Sequence, residues 1–390
     1  MATWIPKTAI RTTKNQNVYT AGHAIQNHRE CSTQPRIIKN PTTASLKRGT
    51  GGRSSFNGIV CTVFGCNGFI GNVLCNRLGK IVTIELINLF LQLILPYRGD
   101  RYNVLPLKLC GDLGQVLFHP FHLKDETSIL KCIKYSNVVV NLIGSDTETR
   151  NFDYETVHVE GARRLARLAK EVGVERFVHV SCLNADPNPE PRLLRNGSRI
   201  LKMKWLGECA VREEFPNATI VRPSDVYGQG DYFLSHYMNP LRRSLRQIPL
   251  WEKGKKTEKQ PIYVSDVGAG LVAVITNPLT AGNTYQFVGS KRYTLYEIVK
   301  WFYELAAQGQ PQWIYPVSNL KHNPQFNIKI TLNETIYPIL PAVRLSWEIL
   351  EKHHATDNIV PGLPTLEDLG ITPVNMETRI PWEIAPYKHN

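Results

Sequence analysis

A chain of 390 residues with 42% hydrophobic content has enough apolar material for one large α/β domain with an appendage, or for two domains. Its formal charge of +13 is concentrated at the N-terminus, where residues 1–53 hold nine basic side chains and one acidic, so the mildly basic remainder calls for no nucleic-acid partner. Eight cysteines without a C-x-x-C pair or zinc-like Cys/His spacing point to a reducing interior and away from a metal site, and no run reaches the ~18 apolar residues of a membrane-spanning helix.

Residues 1–48 are rich in Arg, Lys, Ser, Thr and Asn, poor in acids and without a hydrophobic core segment. That make-up suits a mitochondrial transit peptide, with a disordered basic tail as the plainer alternative. Cleavage is expected before Lys47, and the folded part from near Gly52. From residue 58 onward, strand-like and helix-like segments alternate. The pattern predicts strands at 59–64, 93–97, 115–119, 137–143, 177–181 and 218–222, and helices at 69–78, 126–134, 153–172 and about 199–214. Gly173 is placed to stop the third helix as a C′ glycine. The expected fold class is therefore α/β, a Rossmann-like doubly wound parallel sheet over 52–222 with a smaller lobe over 223–310. Residues 311–390 form a Pro-punctuated C-terminal extension that either packs on the core or docks onto a partner. Cys61 and Cys182 fall in predicted core strands, where a cysteine is ordinarily a small buried hydrophobe.

One connection is out of proportion. A helix-to-strand link usually takes ~2–6 residues, and the span from Gly79 to Leu93 adds a dozen apolar and β-branched ones. A hydrophobic insertion is one explanation; a wrongly retained intron over 82–92 is the other. Tryptic peptides covering Lys80 to Arg98 of the native protein decide between them.

Residues 58–71 read Gly-Ile-Val-Cys-Thr-Val-Phe-Gly-Cys-Asn-Gly-Phe-Ile-Gly, an apolar strand followed by G-x-x-G-x-x-G at Gly65, Gly68 and Gly71. Glycine lets such a turn bend tightly and lets the backbone approach a pyrophosphate. The free N–H groups and positive dipole end of the next helix then meet the phosphate charge. The alternative is that these glycines serve helix–strand packing alone. The second strand ends in Pro-Tyr-Arg-Gly-Asp. An acid at that place would hold the ribose 2′-OH of NAD, whereas the Arg98 guanidinium matches a 2′-phosphate, so NADPH is favoured over NADH. A surface pair between Arg98 and Asp100 is the alternative. After the third strand, His122 stands where an acidic contact to adenine is usual, and Leu123 can still pack against a base. Gly144 falls beside the cofactor path, and Ser181 ends the fifth strand, to polarise a carbonyl or to cap a turn.

These segments, with Arg-Phe-Val-His-Val-Ser, Ile-Val-Arg-Pro-Ser-Asp-Val-Tyr-Gly and Pro-Ile-Tyr-Val-Ser-Asp-Val further on, resemble the extended or atypical short-chain dehydrogenase/reductases. More narrowly, residues 49–56, 96–100, 110–118 and 361–371 are similar to a branch that serves as an accessory subunit of mitochondrial NADH:ubiquinone oxidoreductase (complex I). The resemblance runs from about 49 to 310, and thinly to about 373. It implies a tightly held NADPH off the main electron path, a matrix-side place in the peripheral arm near the membrane-arm junction, and other complex I subunits as partners. It also implies cofactor contacts at Gly65, Gly68, Phe69, Ile70, Arg98, Leu123, Gly144, Ser181, Lys204 and Pro223, to which the glycine motif adds Gly71.

Short-chain dehydrogenases carry a Tyr-x-x-x-Lys pair. Here Lys204, in Lys-Met-Lys-Trp-Leu-Gly-Glu, holds the place of the lysine, and Ile200 stands where the tyrosine is expected. Hydride reduction of a carbonyl needs a proton for the developing alkoxide, and isoleucine has none to give; general acid catalysis typically contributes ~10²–10⁴-fold. No catalytic residue is assigned, and the expected role is a non-catalytic accessory subunit that supports assembly and stability. The alternative is an active NADPH-dependent reductase or epimerase, with Tyr227 or another acid in place of the missing tyrosine. Two basic runs, Arg192 to Lys204 and Arg242 to Lys259, are expected on solvated faces that can meet acidic neighbouring subunits or anionic lipid headgroups.

Overall fold

The computed structural model describes residues 59–84, 91–111, 114–310, 314–336 and 345–388. The leader, the sequence 52–58 and residues 85–90 of the unusual connection lie outside the described residues. Seven parallel strands form the central sheet: β1 (Ile59–Phe64), β2 (Leu91–Tyr97), β3 (Val116–Pro120), β4 (Val138–Asn141), β5 (Arg176–Val180), β6 (Thr219–Pro223) and β7 (Thr284–Phe287). Their order is β7-β6-β5-β4-β1-β2-β3, with the strand order reversing between β1 and β4. Open α/β sheets bind ligands at that switch point, outside the carboxyl ends of the strands.

The alternation of side chains along the strands divides the core into two layers. Val138, Val140, Val178 and Val221 face one side, packed with α1 (Phe69–Ile84) and the later helix Val264–Thr276. Val139, Phe177 and Ile220 face the other, under α2 (Glu126–Ile133), α3 (Gly161–Val172) and α4 (Arg199–Glu214). Burying a side chain such as Phe177, fully enclosed there, contributes ~1.5–3 kcal/mol. Gly173 ends α3 at φ +82°, where its N–H bonds the Lys170 carbonyl and that of Val174 bonds the Ala169 carbonyl, a Schellman closure. The helix expected from 153 begins at Tyr154, and Thr156–Glu160 form a π-helical turn before α3. α4 comes so close to that turn that a Cβ on Gly207 would sit 2.2 Å from the His158 carbonyl oxygen.

The long connection after Gly79 is mostly regular structure. α1 runs on to Ile84 and β2 begins at Leu91, two residues before the predicted start, which leaves six residues between them. Six is an ordinary link length. The expected end at 78 falls short because Gly79 sits inside the helix, where a Cβ would lie 1.7 Å from the Cys110 carbonyl oxygen.

The smaller lobe packs around Tyr227, Phe233, Leu250, Ile298 and Phe302. Past residue 344 the described chain lies against its own body. Leu350 joins Leu320, Phe326 and Ile330; Leu366 enters the sheet core; Met376, Ile380 and Ile384 enter the lobe core. In the second basic run Arg246, Lys253, Lys255 and Lys256 are exposed as expected, and three residues correct the expectation of a solvated face. Arg242 is 1% exposed with its guanidinium over the Phe326 ring, Arg243 packs on Tyr303 and Tyr315, and Lys259 is buried between carboxylates. A charge run in sequence does not reveal aromatic faces and acids supplied from far along the chain. Among the described residues no helix is long and apolar enough to cross a membrane, and no cluster of His, Cys, Asp or Glu is placed to hold a metal ion.

Candidate functional site

At the end of β1 the chain turns through Gly65 at φ +84°, and the Gly68 N–H bonds the Gly65 carbonyl at 3.0 Å. Packing dictates two of the three glycines. A Cβ on Gly65 would lie 3.0 Å from the Leu142 carbonyl group, and one on Gly71 only 2.2 Å from the Gly65 oxygen. Gly68 differs: it is exposed, its φ lies outside the left-handed region, and a Cβ there would meet the Gly65 oxygen at 3.2 Å and nothing else nearby. Internal packing explains this glycine least, and close approach of a ligand to the backbone explains it best. α1 begins at the next residue, so its first amides open onto the crevice.

The crevice holds a cavity of about 180 Å³. Phe69, Ile70, Ser181, Lys204 and Pro223 line it from the sheet side, which brings five of the sequence-predicted residues together. Ser181 is buried, and its hydroxyl has no hydrogen-bond partner within the protein. Gly144 adjoins the same space: a Cβ on it would stand 3.9 Å from the Lys204 Nζ and 3.5 Å from the His158 ring. Cys182 lies just past β5 and lines the cavity, outside the strand predicted for it. Leu123 is buried in the second core layer against Gly161, its carbonyl accepting from Arg164. Arg98 lies at the outer end, exposed, its guanidinium 5.1 Å from the centre of the Phe152 ring. Lys124 approaches the same ring at 5.0 Å, while Asp100 accepts from the Tyr102 N–H.

Ile200 is wholly buried and does not line the cavity; Leu201 does. The Ile200 N–H donates to Glu348 Oε1 at 2.9 Å, and the Ser198 hydroxyl donates to the same oxygen at 2.7 Å. Glu348 belongs to the helix Trp347–His354, so a distant segment covers the first turn of α4. Tyr227 is buried in the lobe core beside Tyr263 and is not part of the cavity lining. Tyr232, half exposed, is.

The far wall was not visible in the sequence. It consists of charged groups already engaged with one another. Lys352 pairs with Asp146 at 2.7 Å, and Lys259 sits between Asp225 at 2.8 Å and Asp357 at 3.5 Å. Burial acts to raise the Asp146 carboxyl, but Lys352 and Lys204 outweigh it and hold the group well below the usual carboxylate range. Lys259 likewise outweighs burial at Asp225, whereas burial, helped by Asp225, pushes Asp357 up. Burial lowers the imidazoles beside the cavity: His353 to about 4, His158 to about 4 with help from Lys204, and His179 to about 3. All three are thus neutral near pH 7. His179 Nδ1 lies 3.1 Å from the Asn141 side-chain nitrogen, which ties β5 to β4 just below the cleft.

With this geometry in view, the comparisons are specific. The profile of the NAD dependent epimerase/dehydratase family matches residues 61–287. The chain is 38% identical to the rat mitochondrial NADH dehydrogenase [ubiquinone] 1 alpha subcomplex subunit 9 over 355 residues, 90% of this chain and 85% of that one. The Neurospora crassa mitochondrial NADH-ubiquinone oxidoreductase 40 kDa subunit is 34% identical, with the same coverage of both chains. The chain belongs to the alpha subcomplex subunit 9 family. That family sits within the epimerase/dehydratase fold: a solved structure of pinoresinol-lariciresinol and phenylcoumaran benzylic ether reductases aligns over 84% of this chain and 99% of its own with a TM-score of 0.58 at 16% identity. MoeE5 in complex with UDP-glucuronic acid and NAD aligns over 84% of this chain and 96% of its own with a TM-score of 0.55 at 16% identity. Of the far wall, Asp146, Asp225 and Lys259 lie within the matched 61–287 segment, and Lys352, His353 and Asp357 lie beyond it.

Proposed function

We propose that this chain is a mitochondrial accessory subunit of complex I that holds a dinucleotide as a structural ligand and does not turn it over. The kinship over about 90% of the chain to complex I subunits carries this reading. Gly68 and the first amides of α1 would meet the pyrophosphate, and Gly65 and Gly71 would shape the turn beneath it. The unpartnered Ser181 hydroxyl, Lys204, Gly144 and the apolar faces of Phe69, Ile70 and Pro223 fit the nicotinamide riboside end. A reduced nicotinamide bound there would be a hydride donor, a capacity this reading leaves unused. Arg98, with Lys124 beside it across Phe152, gives the adenosine end two cations for a 2′-phosphate, which favours NADPH over NADH. Leu123 would contribute by holding that end of the floor.

Two features support a non-catalytic role. Ile200 brings no proton donor, and its turn is capped by Glu348. A bound dinucleotide stabilises the native state by ~RT ln(1 + [L]/Kd), so it serves as a folding cofactor for a subunit of a large assembly. The partners are other complex I subunits on the matrix side of the peripheral arm. Arg242, Arg243 and Lys259 are engaged internally, so they do not serve a lipid surface.

The test is to isolate the native protein from mitochondria under mild conditions and identify its nucleotide and co-migrating partners by mass spectrometry. NADPH in a large respiratory complex is the expected result; a free protein that exchanges nucleotide counts against it. The rival reading, an active reductase, rests on Tyr232 as a phenol in the cavity wall. Steady NADPH oxidation with a carbonyl substrate, abolished by Tyr232→Phe, would establish it.

A further inference from the structure

Residues 346–358 are pinned across the cleft, on one side to the lobe, where His354 accepts from the Trp251 N–H and the Thr257 hydroxyl, and on the other to segments around the cavity. Glu351, 1% exposed, accepts from three successive backbone amides, those of Arg192, Leu193 and Leu194, at 2.7, 2.6 and 3.0 Å. Glu348 caps α4 through Ser198 and Ile200. Asp357 accepts from the Asn184 side chain at 2.9 Å and the Gln260 N–H at 2.8 Å, and the Asn358 N–H donates to Asn184 Oδ1 at 3.1 Å. Between these anchors Lys352, His353 and Asp357 form the far wall of the cavity. Outward movement of the segment would leave Asp146 without Lys352 and Lys259 with Asp225 alone, and buried charges strongly resist being left unpaired.

We propose that residues 346–358 are a latch that occupies the substrate half of the cleft and locks the dinucleotide in, so that nucleotide release requires the latch to open. The inference rests on the dinucleotide-holding role above and deepens it by assigning slow exchange to a segment of this chain. A substrate-sized molecule finds the space filled by the chain's own charged side chains, and the cofactor finds its exit closed. Coupling is reciprocal: the latch slows nucleotide release, and the nucleotide slows latch opening.

The measurement is the release rate of bound nucleotide from the full chain, followed by NADPH fluorescence after a chase with excess unlabelled NADP⁺. The variants are Glu351→Gln and the pair Glu348→Gln with Glu351→Gln; neither side chain lines the cavity. Loss of charge-assisted hydrogen bonds at these anchors is expected to speed release about tenfold or more. A lobe-core variant, Ile298→Val, matched to them in thermal stability, separates the latch from general loosening and is expected to release at the wild-type rate. Hydrogen exchange over 346–358 is expected to slow when nucleotide is bound. Equal release from wild type and the anchor variants, or equal acceleration by Ile298→Val, overturns the latch and leaves nucleotide holding intact. A wild-type chain that neither carries nor takes up any dinucleotide removes the holding role itself, and the latch with it.

Discussion

Around the end of β1 the cleft is shaped by main chain, glycines and one helix terminus, whereas across from it the lining is charged side chains from distant parts of the sequence, paired with one another. The first half leaves groups for a ligand to meet: the first amides of α1 and the buried Ser181 hydroxyl, which has no partner among the described residues. The second half uses its groups internally: three backbone amides on Glu351, and Lys259 between two acids. A surface that leaves polar groups unmet is suited to a ligand; one that satisfies them internally is suited to closure. A dinucleotide site and a filled substrate site can therefore share one crevice.

The sharpest way to break this contrast is at the two ends of the glycine turn. Gly71→Val would force a Cβ to within 2.2 Å of the Gly65 oxygen and is expected to cost the fold ~4 kcal/mol or more, with or without nucleotide. Gly68→Val should remove nucleotide binding while the nucleotide-free melting temperature falls much less, and thermal melts of both variants in each state check this. If the two variants behave alike, Gly68 is structural and the outward character of that half is wrong.

On the charged side, Lys259→Ala leaves Asp225 and Asp357 facing each other without their cation, at an expected cost of about 3–5 kcal/mol. Denaturant unfolding measures it. Lys259→Ala with Asp225→Asn and Asp357→Asn should recover most of the loss, since the penalty lies in the unpaired charges.

The buried imidazoles sharpen the comparison through pH. His353 takes up a proton near 6.5 in the unfolded chain but only near 4 in the folded one. As pH falls below 6.5 the unfolded state gains protons first, so this residue's contribution to stability declines from there and is largely lost by pH 4. The loss is on the order of 3 kcal/mol. His353→Gln is expected to flatten that part of the stability profile relative to wild type; superimposable slopes between pH 6.5 and 4 would show that the wall is open to water.

The smallest effect concerns selectivity. Arg98→Ala should weaken NADPH binding about 10–100-fold and leave NADH nearly unchanged, because the exposed guanidinium has no structural role beyond its contact with Phe152. Titration with both nucleotides reads the ratio, and equal losses for the two would assign Arg98 to something other than the 2′-phosphate.

The legible part of this molecule was the part whose logic is local. β1, β4 and β5 announce themselves by Val-rich runs, the turn by three glycines, and the end of α3 by Gly173. The helix α4, expected at about 199–214, runs over Arg199–Glu214 with Ser198 as its N-cap. The helix expected from 153 begins at Tyr154, and what the sequence did not show is the π-helical turn at Thr156–Glu160 within it. The charged wall was not legible at all. Asp146 and Lys352 are 206 positions apart, and Asn184 and Asp357 are 173 apart. Nothing in the local pattern distinguishes Glu351, buried on three amides, from an ordinary solvated helix acid. Glu348 was passed over for the same reason, although the isoleucine it caps was singled out.

That separation in sequence has a consequence for how the molecule comes into being. The glycine turn is made early and the segment around Glu351 and Asp357 late, so the crevice can form before its last wall exists. A nucleotide can enter the growing or newly imported chain with one side still open. A polypeptide interrupted before residue 346 would have the sheet, the turn and the open crevice, but not the piece that completes them. On the proposed reading, retention of a nucleotide would then report that the chain has been made through to its late segment.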